Sequence, residues 1–184
     1  MAKYSRLKVL TSMIEVGMVP VFYHSDPQAA IRVIEACLEG GVRCFEFTNR
    51  GDGAHEVFRE VALSFQKDDR LILGAGSVLD PATAALYIQL GANFIVGPVL
   101  NAEVARVCNR RKVAYSPGCG TLSEISQAEE LGVEICKIFP ERNHFPYEFM
   151  SHNNRRLIEF NLIICYITPT NPAIFCPNDE PIIG

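Results

Sequence analysis

Six short apolar runs alternate with stretches of helical periodicity through the first 140 residues, and few folds accommodate that pattern. The runs occupy 18–23, 42–51, 71–77, 94–98, 113–118 and 133–140. Between them, apolar residues recur at helical spacing, as in Ala30, Val33, Ile34, Cys37 and Leu38, or Val57, Phe58, Val61, Ala62 and Phe65. Helix starts are marked by Ser25 or Asp26 before Pro27, by Asp80-Pro81, by Asn101, and by the capping box Thr121-Leu122-Ser123-Glu124. Strands that start roughly 20 to 30 residues apart, with a helix between, are parallel and joined by right-handed crossovers.

Two architectures satisfy this alternation, an open doubly wound sheet and a closed (β/α)8 barrel. A dinucleotide-binding sheet would carry G-x-G-x-x-G after its first strand, where this chain has Tyr23-His24-Ser25-Asp26. Polar residues fall instead at or near the carboxyl ends of several strands: Glu46, Arg50, Ser77 and Lys137. Barrels assemble their sites at that end. The expected fold is therefore α/β of the (β/α)8 TIM-barrel type. It is incomplete, with about six β/α units over residues 1–140 and an atypical tail over 141–184.

The tail differs in composition. From residue 141 onward there is one glycine against twelve before it, and one alanine against fifteen. Asparagine rises to six from four, and proline recurs at 146, 169, 172, 177 and 181. The run 157–167 suits a strand or a buried helix. No seventh and eighth β/α units follow, and a full barrel takes about 200 residues or more. Such a break is expected of a truncated or shifted reading frame, or of a fusion scar.

Composition narrows the function classes. Net charge is −4 with no basic stripe, so nucleic acid is not an expected partner. No apolar run approaches the roughly 20 residues that span a bilayer, and the N-terminus has no signal-peptide core. The seven cysteines include no C-x-x-C pair and read as core residues in a reducing, cytoplasmic setting. The four histidines, 24, 55, 144 and 152, lack ligand spacing, so no metal site is expected.

Lys137 is the anomaly in this pattern. It sits in 133–140, a run apolar enough for a strand buried on both faces. Lysine is seldom fully buried without a partner or a purpose. A buried ammonium is costly, so such a residue is either an amine nucleophile or a strand-end lysine that reaches solvent. Its neighbour Cys136 should face the other side of the strand and serve packing. Glu46 and Arg50 admit two roles as well: acid/base and anion-binding groups, or a structural ion pair. Ser77 is either a functional hydroxyl or a turn residue after Gly74-Ala75-Gly76.

Four segments, in this order and spacing, resemble a known family: Glu46-Phe47-Thr48-Asn49-Arg50, Gly74-Ala75-Gly76-Ser77, Gly97-Pro98 and Lys137-Ile138-Phe139-Pro140. Over about residues 5–140 the chain resembles the 2-keto-3-deoxy-6-phosphogluconate aldolases, which overlap with the 4-hydroxy-2-oxoglutarate aldolases. The resemblance implies a (β/α)8 barrel assembled as a homotrimer. It implies a cytoplasmic carbon–carbon lyase of Entner–Doudoroff carbohydrate metabolism, needing no cofactor or metal. Its reaction would be class I retro-aldol cleavage of a small keto acid to pyruvate and an aldehyde.

The same resemblance assigns roles. Lys137 would form the Schiff base, whose protonated imine is the electron sink. Glu46 would be the general acid/base. Arg50 would hold the pyruvate carboxylate, which a guanidinium can engage bidentately. Ser77 matches a hydroxyl residue, more often threonine, that binds the same carboxylate. Pro98 and Phe139 would line the pocket. Glycine-rich phosphate-binding loops after strands seven and eight have no counterpart here, and Glu141-Arg142-Asn143-His144 follows where the family continues with Ala and Gly. Two alternatives accompany the aldolase: an inactive truncated remnant, and a non-catalytic oligomeric binding module.

Overall fold

The computed structural model describes residues 2–139, so the tail at 141–184, with His144, His152 and the run 157–167, lies outside the described residues. Six β/α units form one parallel sheet. In chain order the elements are α1 (Arg6–Val16), β1 (Val21–Phe22), α2 (Pro27–Glu39), β2 (Cys44–Thr48), α3 (Ala54–Ser64), β3 (Ile72–Gly76), α4 (Pro81–Leu90), β4 (Phe94–Gly97), α5 (Ala102–Arg111), β5 (Ala114–Cys119), α6 (Leu122–Glu130) and β6 (Lys137–Ile138). The strand order is β1-β2-β3-β4-β5-β6, each parallel to the next. Sequential neighbours with a helix between them are the arrangement of a TIM-type barrel rather than of a doubly wound sheet. The fold is an α/β half-barrel.

Strand pleating divides the core. Phe45, Phe47, Leu73, Ala75, Ile95, Tyr115, Cys119 and Cys136 face the helices and pack on Ile34, Phe58, Val61, Tyr87, Val104 and Ile125. Edge-on rings continue from Phe47 through Phe58 to Tyr87, with centroids 6.1 and 5.0 Å apart. Phe45, Phe47 and Phe58 are fully buried, worth about 1.5–3 kcal/mol each. The opposite face lines the barrel interior. There Val19, Cys44, Ile72, Phe94, Val96, Ala114 and Ile135 form a second cluster, with Val9 and Met13 of α1 packed against them.

The helices start where the sequence places their caps. Asp26 accepts from the Gln28 N–H, Asn101 from Glu103 and Val104, and Asp80 from Ala82 and Thr83. Thr121 Oγ1 accepts from the Glu124 N–H, while a Glu124 carboxylate oxygen accepts from Gly120 N–H and the Thr121 hydroxyl.

One local expectation changes. The run at 133–140 is not a continuous buried strand: only Lys137–Ile138 pairs with β5, and Ile138 is 36% exposed. Among the described residues β6 has a strand on one side only and no following helix, so the face that Ile138 presents has little cover. Gly74 and Gly76 lie in β3, as the run at 71–77 implies, and the turn begins at Ser77. No helix among the described residues is long and apolar enough to cross a membrane.

Candidate active site

The interior positions of β2 are Cys44, Glu46 and Thr48, since Phe45 and Phe47 face the helices. A carboxyl side chain is thereby carried into the barrel, 1% exposed. β3 makes room for it. A Cβ on Gly76 would overlap the Glu46 carboxyl, and a Cβ on Gly74 would overlap the Phe94 ring. Each glycine is required by a close approach to the side chain of a nearby residue.

Lys137 enters from β6, paired with Gly118 of β5. Its Nζ lies 3.9 Å from Glu46 Oε2, with the two side chains 8% and 2% exposed. Cys136 faces the helices, as pleating requires, so the lysine alone of that pair turns inward. The Phe139 ring lies under the ammonium, its centroid 5.1 Å from Nζ. The Phe139 N–H donates to the Cys119 carbonyl at 3.2 Å, which ties the ring's backbone to β5.

Burial pushes the Glu46 carboxyl above the usual carboxylate range, and the charges of Lys137 and Arg50 oppose that rise without cancelling it. A carboxyl whose proton affinity is raised by burial holds a proton more readily than an exposed one, which suits it to both giving and taking a proton.

The other sequence-derived residues lie around this pair. Arg50 is exposed just past β2, and its charge reaches Glu46 although the two form no ion pair within 4 Å; the Glu46 ion pair is to Lys137. Ser77 is half-buried at the end of β3 in the left-handed region, φ 59°. That is uncommon for a non-glycine residue and recurs at functional sites. The ends of β2 and β3 are tied by the Asn49 N–H donating to the Gly76 carbonyl at 2.8 Å, so Arg50 and Ser77 share one stretch of rim. Pro98 is half-buried after β4, and its carbonyl fills the place that a Cβ on Gly118 would need, next to the Lys137 backbone. His24 is a loop residue whose Nδ1 accepts from the Asp26 N–H.

Two interior polar residues escape the sequence-level pattern, Thr48 and Ser116, 2% and 4% exposed. Their signal is parity: Thr48 lies two residues past Glu46 and Ser116 two before Gly118, each on the site's face of its strand.

Known proteins place the chain. The family model of KDPG and KHG aldolases matches residues 9–151. A 2-dehydro-3-deoxy-phosphogluconate aldolase of Treponema pallidum is 31% identical over 134 residues, covering 73% of this chain and 62% of the relative. A KHG/KDPG aldolase of Escherichia coli K12 is 30% identical over 123 residues, covering 67% and 56%. The chain thus spans about three-fifths of the length of these relatives. The crystal structure of the 2-keto-3-deoxy-6-phosphogluconate aldolase of Zymomonas mobilis ZM4 with 3-phosphoglycerate superposes with a TM-score of 0.69 at 24% identity, covering 88% of this chain and 76% of that one. By its sequence match and its half-barrel of parallel strands, the chain belongs to the KDPG and KHG aldolase family.

Proposed function

We propose that the chain acts as a class I aldolase, cleaving a 2-keto-3-deoxy-6-phosphogluconate or 4-hydroxy-2-oxoglutarate type of keto acid to pyruvate and an aldehyde. The observation that carries the proposal is the buried approach of Lys137 Nζ to Glu46 Oε2, 3.9 Å apart inside the barrel. An amine and a carboxyl in one water-poor interior supply the nucleophile and the proton shuttle that imine chemistry needs.

The residues divide the steps as follows. Lys137 Nζ adds to the ketone carbon. The carbinolamine hydroxyl leaves as water, taking a proton from the Glu46 carboxyl and leaving a protonated imine. Glu46, now a carboxylate, removes the proton of the substrate hydroxyl as the carbon–carbon bond breaks. The bonding pair passes to the imine nitrogen and the aldehyde departs. Glu46 returns its proton to the enamine carbon, which becomes the pyruvate methyl. Water then hydrolyses the imine and frees Lys137. Arg50 and Ser77 at the rim hold the carboxylate, and Phe139 and Pro98 line the pocket.

The half-reaction at pyruvate tests this without choosing an aldehyde. In D2O the chain should exchange the pyruvate methyl protons, followed by the loss of their NMR signal. Exchange should vanish in Lys137→Ala and slow by about 10²–10⁴ in Glu46→Gln. Failure of the folded wild-type chain to exchange would overturn the proposal. It would favour a chain that keeps the site without turnover.

A further inference from the structure

Arg50 is exposed, but the residues on either side of it are held by two tyrosines. Before it, Asn49 Oδ1 accepts from the Tyr87 hydroxyl at 2.9 Å. After it, Gly51 lies against the Tyr23 hydroxyl, which a Cβ at that position would meet at 2.6 Å. Both tyrosines are themselves packed. The Tyr23 ring sits edge-on to Phe47 of β2, centroids 5.7 Å apart, and Tyr87 of α4 is buried edge-on to Phe58 of α3. A buried tyrosine hydroxyl needs a partner, and Asn49 supplies it.

The backbone of Asn49 is tied as firmly as its side chain. Its N–H donates to the Gly76 carbonyl at 2.8 Å, and the Arg50 N–H donates to the Thr48 carbonyl at 2.9 Å. The second bond closes a three-residue turn centred on Asn49 at the end of β2. Arg50 follows Asn49 and Ser77 follows Gly76. The bond from Asn49 to Gly76 therefore sets the spacing of the two residues that hold the substrate carboxylate in the proposed steps. Tyr87 anchors that same Asn49 to the helix layer, where Phe47 and Tyr87 pack together in one cluster. The Asn49 side chain is thus engaged on the helix side of the sheet and is not itself a substrate contact.

We propose that Asn49, held by Tyr87, is a positioning residue for the carboxylate clamp of Arg50 and Ser77. It sets the affinity for the carboxylate end of the keto acid rather than the rate of chemistry at Lys137. This role rests on the aldolase proposal. A long exposed guanidinium loses rotamer freedom when it engages an anion. A loose backbone beneath it would add to that loss and let the two clamp residues drift apart, whereas a fixed one removes this part of the binding penalty. The Tyr87–Asn49 bond lies on the helix side, so breaking it leaves the 3.9 Å approach of Lys137 to Glu46 in place.

Tyr87→Phe keeps the ring and removes the donor, and Asn49→Leu removes the acceptor. Each should raise the pyruvate concentration for half-maximal methyl exchange by about threefold to tenfold, the effect of one hydrogen bond, with the maximal rate unchanged. The double variant should be no weaker than the weaker single one, because both changes remove the same bond. Pyruvamide keeps the ketone and the methyl group but carries a neutral amide in place of the carboxylate, so its half-saturation should be the same in wild type and Tyr87→Phe. The role is overturned if Tyr87→Phe leaves the pyruvate dependence unchanged, lowers only the maximal rate, or weakens pyruvate and pyruvamide equally. Should Asn49→Leu fail to fold, Tyr87→Phe decides. Pyruvate binding to the full-length Lys137→Ala chain, followed by ligand-observed NMR, reads the clamp without any chemistry. Adding Tyr87→Phe should weaken that binding by the same factor; an unchanged affinity, or no binding at all, overturns the role. A wild-type chain that binds pyruvate but exchanges no protons defeats the aldolase proposal alone.

Discussion

The Glu46 carboxyl occupies the space that a side chain on Gly76 would fill, so the acid/base candidate of β2 is seated by the absence of a side chain on β3. Gly74, two residues earlier on the same face, gives the same room to the Phe94 ring. Two substitutions separate these roles. Gly76→Ala and Gly74→Ala should each destabilise the chain by about 1–3 kcal/mol through overpacking, measured by urea unfolding. Gly76→Ala should also cut pyruvate methyl exchange at least about tenfold, because the carboxyl is displaced, whereas Gly74→Ala should lower exchange much less. Equal effects on exchange would show that Gly76 has no special relation to Glu46.

The buried carboxyl sets a direction for stability against pH. Its folded proton affinity is raised by burial, so the folded chain binds that proton more tightly than the unfolded chain does. The resulting stabilisation is fully present below the ordinary carboxylate range. It is lost as pH rises from that range through the raised folded value. Glu46→Gln should flatten this part of the profile. Urea midpoints of wild type and Glu46→Gln, taken every half unit across that interval, should converge or cross as pH changes; parallel curves would contradict a raised Glu46.

Ser77 carries a backbone conformation that its side chain disfavours, φ 59° at the end of β3. Glycine removes that strain but adds freedom to the unfolded chain, worth about 0.4–1 kcal/mol the other way. Ser77→Gly should therefore fall between neutrality and a gain of about 1 kcal/mol, while Ser77→Val should cost more than about 1 kcal/mol. If Ser77 binds the substrate carboxylate, Ser77→Gly should also raise the pyruvate concentration needed for half-maximal exchange. A stable Ser77→Gly with wild-type pyruvate dependence would make Ser77 a turn residue alone.

Legibility in the sequence followed periodicity. Two-sided burial makes parallel strands read as apolar runs, and single-sided burial gives helices their 3.6-residue period, so the six β/α units were visible. So were the caps Asp26, Asp80, Asn101 and Thr121, because capping is local chemistry. Strand six was overdrawn: the apolar residues at 133–136 are buried, but ladder pairing, which depends on a neighbour strand, is confined to Lys137–Ile138. That Gly74 and Gly76 make room for Phe94 and Glu46 was not legible, because the side chains that need their space lie on other strands. The approach of Lys137 to Glu46 joins strands four places apart in the sheet and depends on its curvature, which no local pattern encodes. The four segments shared with the aldolase family brought those residues forward together. They were silent on Ser116 and Thr48, whose interior burial emerges only from the strand pairing.

Borohydride trapping tests the central claim most directly. The full chain is incubated with pyruvate, reduced with sodium borohydride, digested and mapped by mass spectrometry. The account predicts one reduced pyruvyl group on the peptide that contains Lys137, absent without pyruvate and absent in Lys137→Ala. A folded chain that acquires no pyruvyl group at Lys137, or acquires it equally on surface lysines, would contradict it.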